Sequence, residues 1–260
     1  MNLVDFEQAS RQAWPALEEQ HLSYGVLRYA QGVNRRANSL ALFPGARFDS
    51  DDLIETTERF FAEKSLPPIV RILKSDGCHG AGIEDLDREL DRKGYVAHAK
   101  SKLMVCDLSL LPHSIHNESL SVFHSCNLSQ WLPLWHDFSG REAEELDANR
   151  LMLQKIEFPH SYLCARSRNS QVVSCGLGVL SNNVLGLFAI ATSMQKRKQG
   201  YGRKIVTELM KWGISNGARF AYLQVELANE SAIRLYQSMG FRERYSYWYR
   251  VKTTPNRIVR

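Results

Sequence analysis

An apolar strand runs straight into a basic, glycine-bearing turn and then into an amphipathic helix, and no other stretch constrains this chain as much. The segment reads Leu187-Phe-Ala-Ile-Ala-Thr-Ser-Met-Gln-Lys-Arg-Lys-Gln-Gly-Tyr-Gly-Arg203. Val184–Thr192 has strand character, and residues 202–216 carry helical apolar spacing closed by Asn216-Gly217. A helix that starts directly after such a turn begins with backbone N–H groups that have no partner inside the helix. They point the same way, and the helix dipole adds partial positive charge, so the corner suits a diphosphate. Gly200 and Gly202 let the main chain approach a ligand with no Cβ in the way. Lys196, Arg197, Lys198 and Arg203 add long-range attraction. The turn lacks the GKS/T ending that would offer a magnesium ligand, and it lacks a third glycine at dinucleotide-fold spacing.

The elements around this segment are well marked. Residues 142–156 read as a helix. Ser161–Arg166 and Gln171–Leu180 read as strands joined by the turn-forming run Ser167-Arg-Asn-Ser170. Phe220–Leu227 follows as a strand, Asn229–Met239 as a helix ended by Gly240, and Phe241–Val251 as the last strand. Strand, helix, strand, helix, strand in that order argues for a mixed sheet with right-handed crossovers.

The first half is α+β in character. Residues 2–20 carry a helix-like pattern through Phe6, Ala9, Ala13, Trp14 and Leu17, and Ser23–Ala30 alternates like a strand. Asp49-Ser-Asp-Asp52 starts a helix expected to reach Lys64, Ile69–Leu73 is a strand, Glu84–Lys93 a short helix, and Tyr95–Leu108 a strand or hairpin arm. Residues 108–130, rich in Ser, His and Asn, read as a connector with a short strand around 119–123. The expected domains are therefore 1–107, a connector 108–130, and 131–260. A helix ending in Gly-aromatic and followed by a strand occurs twice, as LDRELDRKGYVAHAK and as AIRLYQSMGFRERYS. That echo fits a duplication, and it equally fits the general tendency of helices to end at glycine.

Composition excludes several classes. No stretch approaches the roughly 20 apolar residues of a membrane span, and the N-terminus has acids where a signal peptide would be basic and apolar. Lysine plus arginine exceeds aspartate plus glutamate by 33 − 28 = 5, a mild and dispersed excess that does not point to specific nucleic-acid binding. The five cysteines (Cys78, Cys106, Cys126, Cys164, Cys175) form no CxxC pair, which favours reduced thiols in a cytoplasm over a disulfide framework or structural zinc. His113 and His116 have one-turn spacing but lie in a polar loop, and no metal site is expected.

Arg197-Lys-Gln-Gly-Tyr-Gly202 resembles the [QR]-x-x-G-x-[GA] motif of the GNAT superfamily of N-acetyltransferases. Leu223-Gln-Val-Glu-Leu-Ala-Asn-Glu-Ser-Ala-Ile-Arg-Leu-Tyr-Gln-Ser-Met-Gly-Phe241 is similar to that family's second signature, V-x-x-x-N-x-x-A-x-x-L-Y-x-x-x-G-F. The resemblance covers about residues 140–251 and implies a GNAT-like mixed, mostly antiparallel twisted sheet flanked by helices. The N-terminal half has no second acyl-CoA loop and fits, at most, a degenerate GNAT-like domain. By the resemblance the cosubstrate is acetyl-CoA and the acceptor a primary amine on a small molecule or peptide, in a monomer or homodimer.

The resemblance also implies roles. Ile190, Ala191 and Thr192 would receive the pantetheine arm and acetyl carbonyl on a strand that splays from its neighbour. Arg197, Lys198, Gln199, Gly200, Tyr201, Gly202 and Arg203 would hold the diphosphate. Asn229 would contact the coenzyme near the active centre, and Tyr236 would stand near the departing thiol. Some relatives place a glutamate base where this chain has Gln224, which cannot take a proton. Glu226, two residues on and so on the same strand side, is the candidate base. Gln224 also fits a non-catalytic acyl-CoA-binding module that binds coenzyme without turnover.

Other candidates follow from residue type alone. The basic run Arg28–Asn38 suits either an acceptor-pocket wall or a solvated hairpin. Trp131, Trp135 and Trp248 suit pocket or core, and Tyr245, Tyr247 and Tyr249 share one face of the last strand. Cys164 and Cys175 read as buried small hydrophobes.

Overall fold

The computed structural model describes residues 1–74, 82–110 and 123–252. His113, His116 and Cys78 lie outside them, as do residues 119–122 of the short strand read in the connector. The first helix, α1 (Leu3–Ala13), is nucleated by a capping box in which Asn2 and Asp5 exchange side chain–backbone hydrogen bonds of 2.8 and 3.0 Å. It stops at Trp14 rather than running to residue 20. Pro15 disfavours helical backbone at the residue before it, and Trp14 sits at φ −129°, ψ 77°. Residues 18–20, assigned to the helix by their spacing, instead belong to β1 (Glu18–Leu22), which pairs antiparallel with β2 (Gly25–Tyr29).

The chain continues through β3 (Leu40–Leu42), α2 (Ser50–Glu63), β4 (Ile69–Lys74), α3 (Ile83–Arg92) and β5 (Tyr95–Asp107). The second half supplies β6 (Phe123–Cys126), α4 (Leu128–Ser139), α5 (Glu145–Gln154), β7 (His160–Arg166), β8 (Val172–Ser181) and β9 (Val184–Thr192). It ends with α6 (Tyr201–Ser215), β10 (Phe220–Glu226), α7 (Glu230–Ser238) and β11 (Arg242–Lys252). The reading of 108–130 as a connector therefore needs correction: β6 and the first turn of α4 fall inside it. The sequence does carry the start signal for α4, because Asn127 and Gln130 make a second capping box. Pro133 inside the helix hides it from a periodicity scan.

The described strands form one sheet of 11 in the order β1-β2-β3-β4-β11-β5-β10-β9-β8-β7-β6. Its neighbours are antiparallel except β3–β4 and β9–β10. The order near the middle is an exchange. The unit β4-α3-β5 leaves a slot between its two strands, and β11 fills it. The unit β10-α7-β11 leaves a slot, and β5 fills it. The two halves thus share one topology, with β1, β2, β3, α2, β4, α3, β5 corresponding in order to β7, β8, β9, α6, β10, α7, β11.

Alternation along the central strands assigns the two faces. Tyr222, Tyr245, Tyr247, Tyr249 and Phe188 pack with α1, α4 and α5 in one cluster. Leu223, Val225 and Phe241 pack under α6 and α7, while Val70, Ile72 and Leu27 pack under α2 and α3. Leu209 of α6 and Leu90 of α3 are fully buried, and truncating either to Ala costs about 2–5 kcal/mol on the usual scale for core leucines. Cys164 and Cys175 are buried neighbours across β7–β8.

Candidate functional site

The site begins where β9 and β10 part. They pair parallel only from Val184–Leu187 against Phe220–Leu223. β10 goes on pairing with β5 as far as Glu226 opposite Ser101, but β9 turns away. The turn is a bulge: the β8–β9 register jumps between Cys175 and Leu177, and Ala189 has φ +51°. Gly176 opposite the bulge permits this close packing. A Cβ there would lie 2.5 Å from Ile205 Cγ2 and 2.6 Å from Ile190 Cδ1. The Gly176 carbonyl accepts from Trp131 Nε1 at 3.1 Å, which makes the buried Trp131 a scaffold residue. Ile190, Ala191 and Thr192 therefore stand on a strand edge with no β10 pairing beside them. Thr192 is fixed from the other side, its Oγ1 2.8 Å from Ser174 Oγ.

A short 3-10 turn (Met194–Lys196) leads to the basic corner. Lys198 has φ +60° and Gly200, the residue before α6, has φ +84°. The helix has no side-chain cap and no acid in its first turn. Lys204 N donates to Gly200 O at 3.1 Å, while the amides of residues 198–203 have no hydrogen-bond acceptor among the described residues. Arg197 Nε donates to Thr192 O at 3.3 Å and ties the corner to the strand. Gln199 donates to Gln195 O at 3.2 Å, and Arg203 to Ser238 Oγ at 2.6 Å, which links α6 to α7. Tyr201 is half-buried, with the Lys204 ammonium 5.5 Å from its ring. A Cβ at Gly202 would meet only Leu235 Cδ2 at 3.7 Å and Thr192 Oγ1 at 4.0 Å, so the protein leaves that side open. Unpaired amides, an uncapped helix start and surrounding cations are the donor set a diphosphate needs, so the corner fits an acyl-coenzyme A.

Tyr236 of α7 is buried against the Phe241 ring, centroids 6.0 Å apart. Burial pushes its phenol up to about 12. Asn229 caps α7, its Oδ1 accepting from Ala232 N at 3.2 Å and from Ser231 Oγ at 3.2 Å, and its side chain is exposed. That capping role is structural, and the sequence motif did not separate it from ligand contact. Gln224 is pinned: Tyr247 OH donates to it at 3.0 Å, and its amide donates to Ser10 Oγ at 2.8 Å. Glu226 is exposed at the end of β10 on the same side as Gln224.

The splay opens into a cavity of about 410 Å³ lined by both halves. Ala189, Gln224 and Glu226 form its edge at the splay, and Tyr247 and Tyr249 of β11 line it from the middle of the sheet. Trp14, Asn34, Arg35 and Arg36 come from the first half, and Trp135, Arg141 and Glu145 from around α4 and α5. Of the tryptophans singled out by type, Trp135 lines the cavity, whereas Trp131 supports the bulge and Trp248 donates to Asp87 at 2.8 Å. Tyr245 faces the same way as its neighbours but is buried against Glu7. Of the basic run, Asn34, Arg35 and Arg36 reach the cavity, while Arg28 is fully buried and holds the loop. Sequence reasoning missed Trp14, Ala99, Ser101, Arg141 and Glu145 as lining residues, and no local signal marks them. The strand exchange brings them together.

The sequence profile of the acetyltransferase (GNAT) family matches residues 128–241. A Bacillus subtilis (strain 168) protein described as the uncharacterized N-acetyltransferase YobR is 23% identical over 252 residues, covering 95% of this chain and 97% of that protein. The fold is similar to that of a GCN5-related N-acetyltransferase from Kribbella flavida, with TM-score 0.70, 15% identity, and coverage of 98% of this chain and 97% of that one. It is also similar to a tandem GNAT protein from the clavulanic acid biosynthesis pathway, with TM-score 0.65, 9% identity, and coverage of 96% and 88%. The splayed strands and the uncapped helix agree with these matches: residues 128–241 are an acetyltransferase domain of the GNAT family, and the chain is an N-acetyltransferase.

Proposed function

We propose that the chain transfers an acetyl group from acetyl-CoA to a primary amine by direct attack within a ternary complex. One observation carries this reading: the unpaired edge of β9 runs from Ala189, which lines a cavity large enough for a small acceptor, toward the bare amides before α6. In the reaction the acyl carbon leaves sulfur for nitrogen, the amine loses one proton, and the thiol gains one. The β9 edge at Ile190–Thr192 orients the arm, and residues 197–203 hold the diphosphate. Asn229, while capping α7, keeps its amide group exposed toward solvent at the start of that helix.

Proton balance assigns the rest. An alkylamine with a pKa of about 10.4 is only about one part in two thousand neutral at pH 7. Glu226 attracts the ammonium and takes its proton, directly or through one water. Tyr236 at about 12 is a weaker acid than a thiol at about 8.5 by roughly 3.5 pH units, or about 5 kcal/mol. It therefore donates a hydrogen bond to developing charge on sulfur and keeps its proton. We further propose that the N-terminal half is a degenerate copy of the same domain. At its equivalent corner Asp49 accepts from the amides of Asp51 and Asp52, both at 3.0 Å, so the start of α2 is already capped by acids that repel a diphosphate.

Calorimetric titration with acetyl-CoA, followed by a thiol-release assay on an amine panel, tests the reading. One coenzyme bound per chain is expected. No binding at millimolar acetyl-CoA refutes acyl transfer, and two equivalent sites refute the degenerate half.

A further inference from the structure

The three arginines lining the cavity share one peculiarity. The Nε atoms of Arg35, Arg36 and Arg141 are buried and have no hydrogen-bond partner among the described residues. An N–H closed off in this way is out of a ligand's reach, but the terminal nitrogens of Arg35 and Arg36 also have no hydrogen-bond partner among the described residues, and two unpaired guanidinium ends at one cavity suit an anion. The two acids present do not neutralise them equally. Glu145 is taken up by Arg141 at 2.8 Å. Glu226 bears on Arg35 electrostatically without reaching ion-pair distance. Arg36 has no carboxylate partner among the described residues. It lies instead against the faces of Trp14 and Phe188, at 5.6 and 5.5 Å from the ring centroids.

The loop that presents Arg36 is built in advance. The fully buried Arg28 donates to Arg36 O at 2.9 Å and to Trp14 O at 2.7 Å. Asn38 accepts from Ala30 N at 2.7 Å and donates to Asn34 O at 2.7 Å. Across the cavity Arg141 stacks on Trp135 at 4.5 Å, and Trp135 meets Trp14 edge-on at 6.0 Å. An anion held here needs little further ordering of the protein. Phe188 is the first β9 residue beyond the β9–β10 pairing, so Arg36 stands beside the splay where the acyl group is presented. Glu226 supplies the negative charge at the same mouth.

Resting on the acetyl-transfer reading, we propose that the acceptor is a primary amine bearing a carboxylate a few bonds away, as in an α-amino acid, and that Arg36 is the residue that selects it. The planar fork of Arg36 suits a carboxylate, and the short distance from arginine to splay suits a short acceptor.

The test uses the full chain and three matched panels with acetyl-CoA: free α-amino acids, their amides, and aminoalkyl phosphonates. Free acids should exceed their amides in kcat/KM by about 30-fold or more. Arg36→Ala should raise KM for the acids about 10-fold or more and bring acid and amide within about 3-fold of each other. Arg36→Lys should recover part of the preference, and both variants should keep the acetyl-CoA affinity of the parent. Amides used as well as the acids, or no acid used at all while acetyl-CoA still binds, would overturn the inference and leave acyl transfer standing. A preference for phosphonates over acids would overturn the carboxylate in favour of a phosphoryl group. Failure of the parent to bind acetyl-CoA would strike the underlying reading instead. The acid-against-amide comparison needs no variant, so it holds even if Arg36→Ala misfolds.

Discussion

At the scale of single residues, Tyr236 gives the sharpest prediction. Its phenol is pushed up to about 12 by burial, so it stays protonated through the whole range in which an amine loses its proton. Tyr236→Phe should lower kcat by about 10- to 100-fold, the worth of a hydrogen bond to a charged group, and leave acetyl-CoA affinity nearly unchanged. The rising limb of the pH–rate profile should persist in the variant, because it belongs to the amine and its base. A falling limb between pH 8 and 10 that vanished in Tyr236→Phe would show the phenol giving up its proton and would refute the hydrogen-bond role. The folded state favours the neutral phenol, so its contribution is intact below pH 10 and is lost as pH rises from 10 toward 12. Tyr236 was legible in sequence because the motif fixes it. The buried pair Glu7 and Arg71 was not. Burial raises the Glu7 carboxyl, but Arg71 beside it and the Tyr245 hydroxyl hold it below the usual value on balance. Nothing in the helical pattern of residues 2–13 distinguishes a buried glutamate from a solvated one, since its partners lie more than sixty residues away.

At the scale of elements, the start of α6 separates two uses of glycine. Gly200 has φ +84° and nothing within 4 Å of an added Cβ, so alanine there meets strain rather than a clash. Gly202 has ordinary backbone and room for a methyl group within the protein. Gly200→Ala should therefore cost about 1–2 kcal/mol of stability through the left-handed backbone. Gly202→Ala should leave the melting temperature close to the parent or slightly higher, because alanine is the better helix former. It should nevertheless weaken acetyl-CoA by at least about 10-fold, because the methyl group stands where the diphosphate must approach. Thermal melts and calorimetric titration of the two variants check this, and a Gly202→Ala protein with parental affinity would remove the assigned diphosphate corner. These elements were readable because their signals are local: an alternating run, a turn, a 3.6-residue spacing. Strand β1 reads as a continuation of α1 because its polar residues show no alternation, and all but its last residue are exposed. Helix α4 is hard to read because Pro133 and three closely spaced aromatic residues, Trp131, Trp135 and Phe138, obscure a pattern that Asn127 and Gln130 announce.

At the scale of the whole molecule, the exchange of β5 and β11 decides how the chain should unfold. Each is a long strand flanked by strands of the other half, β11 by β4 and β5, and β5 by β11 and β10. Neither half can close its own part of the sheet alone. The exchange is also fastened by side chains: Arg250 of β11 donates to Asp87 of α3 at 2.7 and 2.9 Å and to Tyr95 O at 3.1 Å, and Tyr245 of β11 donates to Glu7 of α1. Removing one partner of such a partly buried ion pair costs several kcal/mol, because the charge left behind has no compensation. No local pattern marks this exchange, since strand order in a sheet is set by pairings across more than a hundred residues. Two domains joined by a connector would melt in two steps. The exchanged sheet should instead melt in a single calorimetric transition, with van't Hoff and calorimetric enthalpies equal. Amides of β4 in the first half and β10 in the second should exchange with the same opening free energy, as members of one cooperative unit. Two resolved transitions, or β4 exchanging well before β10, would mean that the halves are held together more weakly than the strand order requires. In that case the cavity they share would open whenever the less stable half did.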